Sequence, residues 1–254
     1  FVPEVGATVR GDPAVRRMSP AAAADALAPW LPCCGLATRG EACCGLLRGR
    51  GADGLCFAVA HATVKDTVKM PEYTGGLQPL VCGVGGCQLS AGFSAPLEGD
   101  RPGGHPFCAV FCFPSTAACR RCFGSKGYRS LSSVREEALQ LCLAYAGTDS
   151  VADISSLTGA EAFVVGHARI RRRPLFEEYH RKLIASVRNS GGSVLGEGRA
   201  RSIIGKLPVG DLLMVFMFPS LQAARAWHTS PAYRSLGPTR VKSAEVSMVM
   251  VPGF

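Results

Sequence analysis

"FPSLQAARAWHTSPAYRSL" (Phe218–Leu236) recurs in altered form as "FPSTAACRRCFGSKGYRSL" (Phe113–Leu131), at an offset of 105 residues. The correspondence continues upstream at an offset of 106. "FAVAHA" from Phe57 falls on "FVVGHA" from Phe163, Glu72-Tyr73 on Glu178-Tyr179, and Gly85-Gly86 on Gly191-Gly192. One residue has been lost from the second copy between these blocks, so a whole domain is duplicated.

The second copy shows the element order more clearly. "AFVVGHARI" has the β-branched, apolar character of a strand. "PLFEEYHRKLIASVRNSGG" places Phe176, Tyr179, Leu183 and Val187 at helical spacing and stops at Gly191. "SVLGEGRARSII" and "DLLMVFMF" read as two strands joined by a turn, Ser220 caps a second helix, and "AEVSMVMV" alternates as a last strand. Strand, helix, strand, strand, helix, strand is the ferredoxin-like plait, an α+β unit. Its helices cover one sheet face and leave the other bare, so the two plaits are expected to pack sheet on sheet. The predicted divisions are an extension over 1–50 with one short helix, a divergent first plait over 51–147, a linker over 148–160 and a second plait over 161–254.

The signature "FPS..AARAW..SPAYRSL", preceded by a strand and "GGSVL", resembles a widespread family of small, mostly uncharacterised proteins in the dimeric α/β-barrel superfamily. Family members usually form homodimers, so the resemblance implies an internal pseudo-dimer built as one α/β barrel. It brings no settled reaction; the wider superfamily includes monooxygenases, isomerases, haem enzymes and non-catalytic members. Ser193 and Glu197 stand where the family commonly has arginines, and the first copy has Pro71, Gly75, Gly76 and Pro79 inside its expected first helix. These residues cost helix stability. The first copy is therefore the one expected to have lost any ancestral ligand site.

Twelve cysteines, all before residue 143, include Cys119-Arg-Arg-Cys122 and the pairs Cys33-Cys34 and Cys43-Cys44. Cys56, Cys108, Cys112, Cys119 and Cys122 align with Ala162, Leu213, Met217, Ala224 and Trp227, which are core-like positions where a buried thiol behaves as a small hydrophobe. No zinc-ligand spacing is present. The sequence assigns neither a metal nor a cofactor.

His61 and His167 occupy equivalent strand positions and, with Tyr179, are the candidates for small-molecule chemistry in the barrel interior. A strand histidine there can carry a proton or ligate haem iron. Tyr73 and Tyr179, like Tyr128 and Tyr233, read as packing residues with a polar tip. Arg129, Arg135, Arg234 and Arg240 can bind an anion, although pairing at helix ends is their ordinary role.

The net charge of +9 concentrates in Gly166–Lys206, with ten Lys or Arg against Glu177, Glu178 and Glu197. Arg169, Arg171, Arg172, Arg173, Arg181, Lys182, Arg199 and Arg201 are the candidate contacts to a larger acidic or membrane-associated assembly. No nucleic-acid motif accompanies them. No apolar run approaches the roughly 18 residues of a spanning helix, so a peripheral rather than transmembrane protein is predicted. The start, "FVPEVGATVRGDPAVRRMSPAAAADALAPW", resembles the Phe-led plastid-targeting sequences of algae with red-lineage secondary plastids. Together these features favour a non-catalytic structural protein, a peripheral subunit of a chloroplast thylakoid complex such as a photosystem, docking through its arm and basic face. The alternative is a small-molecule-binding protein or enzyme built around His167.

Overall fold

A computed structural model describes residues 54–148, 160–206, 210 and 212–253. The N-terminal extension and the linker between its end residues lie outside them, as do the plastid-like start and the two Cys-Cys pairs. In chain order the first half contains β1 (Leu55–Val64), α1 (Lys69–Gly83), β2 (Cys87–Phe93), β3 (Ala95–Glu98), β4 (Phe107–Phe113), α2 (Thr116–Phe123), α3 (Lys126–Ser130), α4 (Ser132–Ala138) and β5 (Leu139–Thr148). The second half repeats this as β6 (Ala162–Ile170), α5 (Arg173–Asn189), β7 (Ser193–Arg199), β8 (Arg201–Ile204), β9 (Leu212–Phe218), α6 (Leu221–Thr229), α7 (Pro231–Arg234), α8 (Gly237–Ser243) and β10 (Ala244–Pro252). Each half is a ferredoxin-like plait, as the element order predicts. Among the described residues no helix is long and apolar enough to cross a membrane.

The pleat sorts each strand into two cores, because successive side chains point to opposite faces. On β1, Cys56, Ala58 and Ala60 face the helices of the first half, while Phe57 and Val59 face the other sheet. On β6, Ala162 and Val164 face the helices of the second half, while Phe163 and Val165 meet the first sheet. Three buried layers result, and the middle one joins the halves.

The sheets are not confined to their own halves. Their strand orders are β2-β4-β1-β5-β8 and β3-β10-β6-β9-β7, so each half lends one short strand to the other's sheet. Ala95 and Glu98 of β3 pair with Met250 and Met248, and Arg201 and Ile204 of β8 pair with Tyr145 and Leu143. The stretch "SVLGEGRARSII", read from sequence as one strand, divides at Ala200 and crosses between sheets there. Along the same seam Ser90 Oγ donates to the Pro252 carbonyl at 2.6 Å, and β7 runs close against β5. A Cβ at Gly198 would overlap the carbonyl of Gly147, so the glycine is required by backbone approach.

Helix α1 runs unbroken through Pro71, Gly75, Gly76 and Pro79. Pro71 lies in the first turn, where its missing N–H has no helical acceptor, and Pro79 forfeits one bond. The Asp66 carboxylate opens the helix by accepting the N–H groups of Val68 and Lys69 at 2.7 and 3.2 Å. Burial of Met70, Tyr73, Leu77 and Val81 offsets the poor propensity.

Two glycines separate these effects. Gly198→Ala is expected to cost about 1–3 kcal/mol through overpacking at the seam, whereas Gly75→Ala, on an exposed helix face with open space around the new methyl, is expected to gain about 0.5–1 kcal/mol. Urea denaturation midpoints of the two variants check both signs.

Candidate functional site

His61 and His167 meet in the middle core. Their Nε2 atoms lie 2.8 Å apart, and the residues are 1% and 0% exposed. One ring therefore donates and the other accepts, which fixes opposite tautomers in the neutral pair. Both Nδ1 atoms are buried without a hydrogen-bond partner among the described residues. Burial holds the His167 imidazole down at about 4, and burial, with His167 and His105 nearby, holds His61 well below its ordinary value. A haem iron does not fit here, because each Nε2 is spent on its counterpart inside a core shared with Phe57, Val59, Phe163 and Val165.

Tyr179 does not join them. It projects from α5 into the helix-side core of the second half, on the opposite face of the sheet from His167. Its neighbours there form a different and more chemical cluster.

That cluster lines a cleft of about 330 Å³ bounded by Leu97, Glu98, His228, Tyr233, Arg234 and Arg240, among others. Strand β3, lent by the first half, carries Glu98 into it. Ser220 caps α6 by accepting the Ala223 N–H at 3.0 Å, which places His228 in the last turn of that helix. Ser230 caps α7, accepting the Tyr233 N–H at 3.2 Å, and α8 supplies Arg240.

Glu98 Oε1 accepts from Arg240 Nη1 at 2.5 Å and pairs with His228 Nε2 at 3.0 Å. Arg240 Nη1 also donates to the Tyr233 hydroxyl at 3.1 Å, and that hydroxyl donates to Met248 Sδ at 3.7 Å. Burial pushes the Glu98 carboxyl up, but the bonds from His228 and Arg240 outweigh it and hold the group below its ordinary value. Burial raises the Tyr233 and Tyr179 hydroxyls. The Tyr179 hydroxyl is buried beside Tyr233 and has no well-formed hydrogen bond among the described residues.

The first half provides an internal comparison. Tyr73, Tyr128 and Arg135 stand in place of Tyr179, Tyr233 and Arg240, and there the two tyrosine hydroxyls bond each other at 3.3 Å. Ile204 replaces Glu98 and Phe123 replaces His228. Deeper between sheet and helices of the first half lies a small apolar cavity of about 20 Å³, bordered by Ala60, Ala109, Phe111 and Phe123. Arg240 and Tyr233 are singled out by the duplicated pattern; Glu98 and His228 escape it because they are the positions that differ. Comparison of the two copies for unequal polar residues is the signal that finds them.

The eight basic residues are exposed and distributed over β6, the β6–α5 connection, α5, β7 and β8. Arg169 and Arg171 share Glu245 at 3.3 and 3.4 Å, Arg173 faces Glu177 at 3.8 Å, and Lys182 pairs with Glu178 at 2.7 Å. Four of the eight are thus paired with three carboxylates on their own surface. Cys119 and Cys122 are buried free thiols. The bond to Cys56 and burial push Cys119 up, and burial pushes Cys122 up to about 12, so neither is a thiolate.

The histidine pair sets a pH dependence. Both folded-state values lie below the ordinary 6.5, so the unfolded chain binds more protons and stability falls as pH drops from 6.5 toward 4. The loss approaches about 1.4 kcal/mol per pH unit for each histidine. The His61→Leu/His167→Leu double variant is expected to lose much less stability than the parent between pH 7 and pH 5, measured by chemical denaturation.

Several solved structures align with this chain at low identity. A putative monooxygenase from Lactobacillus acidophilus aligns over 79% of this chain and 98% of its own at 9% identity, TM-score 0.43. An anthrone oxidase-like protein aligns over 80% and 92% at 11% identity, TM-score 0.49, and a dye-decolorizing protein from V. cholerae over 80% and 95% at 9% identity, TM-score 0.48. No curated protein matches the chain. The expectation of a non-catalytic docking subunit is corrected: the chain holds a polar cleft of ligand size, lined by Glu98, His228, Tyr233 and Arg240, which favours the alternative of a small-molecule-binding protein or enzyme. The family described as "Domain of unknown function (DUF1330)" matches twice, over residues 56–145 and 161–254, and the chain belongs to that family as a tandem duplication.

Proposed function

We propose that the chain is a small-molecule-binding protein with acid–base capability, and that its one competent site is the cleft of the second half. The supporting observation is the inequality of two otherwise equivalent places. The pocket on the sheet of the second half holds Glu98, His228, Tyr233 and Arg240 together, and its counterpart on the sheet of the first half holds Ile204 and Phe123 with its tyrosine pair closed. Packing alone favours the apolar version, since a half-buried ion pair pays desolvation that an isoleucine and a phenylalanine avoid. Retention of the polar version in one copy is what a ligand site requires.

The cleft volume of about 330 Å³ lies at the lower end of the range for small-molecule sites. A carboxylate held ionised against an imidazole forms a dyad able to accept or release a proton, with the histidine oriented by the acid. Tyr233, hydrogen-bonded to Arg240, is placed to orient a ligand rather than to ionise. The fused arrangement explains how both copies are needed for one site: the first contributes the strand that carries Glu98, and the second contributes the rest.

His228→Phe, which installs the residue of the first half, tests the proposal. Two-dimensional NMR of the full chain with a library of small polar compounds is expected to give shifts clustered on α6, α7, α8 and β3. The variant is expected to weaken those ligands at least tenfold while its far-UV spectrum and denaturation midpoint stay near the parent's. Ligands that instead perturb the surroundings of His61 and His167, or that bind the variant equally well, would refute the proposed site.

A further inference from the structure

We infer that the ligand of this cleft is a small organic acid that also carries a hydrogen-bond donor; the inference rests on the site proposed above. Charge is the first ground. Glu98 and Arg240 neutralise one another at 2.5 Å, so the carboxylate offers no net attraction to a cation. Arg234 lines the same cleft, is exposed, and makes no ion pair with any described residue. The entrance is therefore positive, and an incoming anion gains an interaction that a neutral molecule does not.

Unspent hydrogen-bonding capacity is the second ground. Both contacts of Arg240 with described residues leave from Nη1, so among the described residues its Nη2 and Nε retain donors for a ligand carboxylate, the group that a guanidinium fork matches best. Both contacts of Glu98 fall on Oε1. Its Oε2 accepts nothing among the described residues and is available to a hydroxyl or amine on the ligand. The volume restricts the ligand to about the size of a single substituted ring or a short chain.

A matched set of four probes tests this against the full chain by titration calorimetry at low salt: 3-hydroxybenzoate, benzoate, 3-hydroxybenzamide and 3-hydroxybenzylamine. The expected order places 3-hydroxybenzoate first, about tenfold tighter than the amide, with benzoate between them and the amine weakest. Arg234→Gln is expected to remove most of the advantage of the acid and to leave the amide unchanged. An amide or amine that binds as tightly as the acid, or an acid-to-amide ratio unaffected by Arg234→Gln, overturns the inference. If the amide binds and His228→Phe abolishes its binding, the cleft survives as the site and the organic acid alone fails. If none of the four binds up to millimolar concentration, both readings fail.

Discussion

The backbone ladder between β3 and β10, with its counterpart between β8 and β5, is the constraint on which the rest of the molecule depends. Each is only a short pairing, yet each carries chain from one half into the sheet of the other. Without the exchange there are two plaits, each with a bare apolar sheet face. With it, the bare faces become one buried layer, β2 and β7 are drawn alongside β10 and β5, and an acidic side chain from the first half reaches a pocket in the second. Fusion of two copies turns an intermolecular exchange into an intramolecular one and removes the entropic cost of association.

Fusion also releases the copies from symmetry. In a symmetric dimer the surroundings of every buried residue are shared by both subunits, so a substitution alters both sites. Here Phe123 and Ile204 close one pocket while His228 and Glu98 keep the other polar. The histidine pair preserves the older symmetry: His61 and His167 occupy equivalent positions and meet across the centre. They are retained as a buried, neutral, partly unsatisfied contact, and their cost appears in the dependence of stability on pH.

The duplicated signature, the strand and helix periodicities and the Gly stops were enough to read the plait, its repetition and the packing of sheet on sheet. The strand exchange was not legible, because "SVLGEGRARSII" alternates in the same way whichever sheet it joins. Helix α1 forms in spite of the helix stability that Pro71, Gly75, Gly76 and Pro79 cost, since tertiary burial of one helix face outweighs local propensity. His61 and His167 were read as equivalent strand positions, and pleat parity puts both on the interior face. Tyr179 was grouped with them although helix α5 packs on the opposite face. Glu98 and His228 lie 130 residues apart in sequence, and only the fold brings them together.

A double-mutant cycle between Glu98→Gln and Arg240→Gln, read from denaturation midpoints, tests most directly whether the arm of one half completes the site of the other. The structure predicts a coupling energy of about 1–3 kcal/mol for a half-buried charged contact. Additivity within about 0.3–0.5 kcal/mol, as found for residues that do not touch, would contradict the strand exchange and the site built on it.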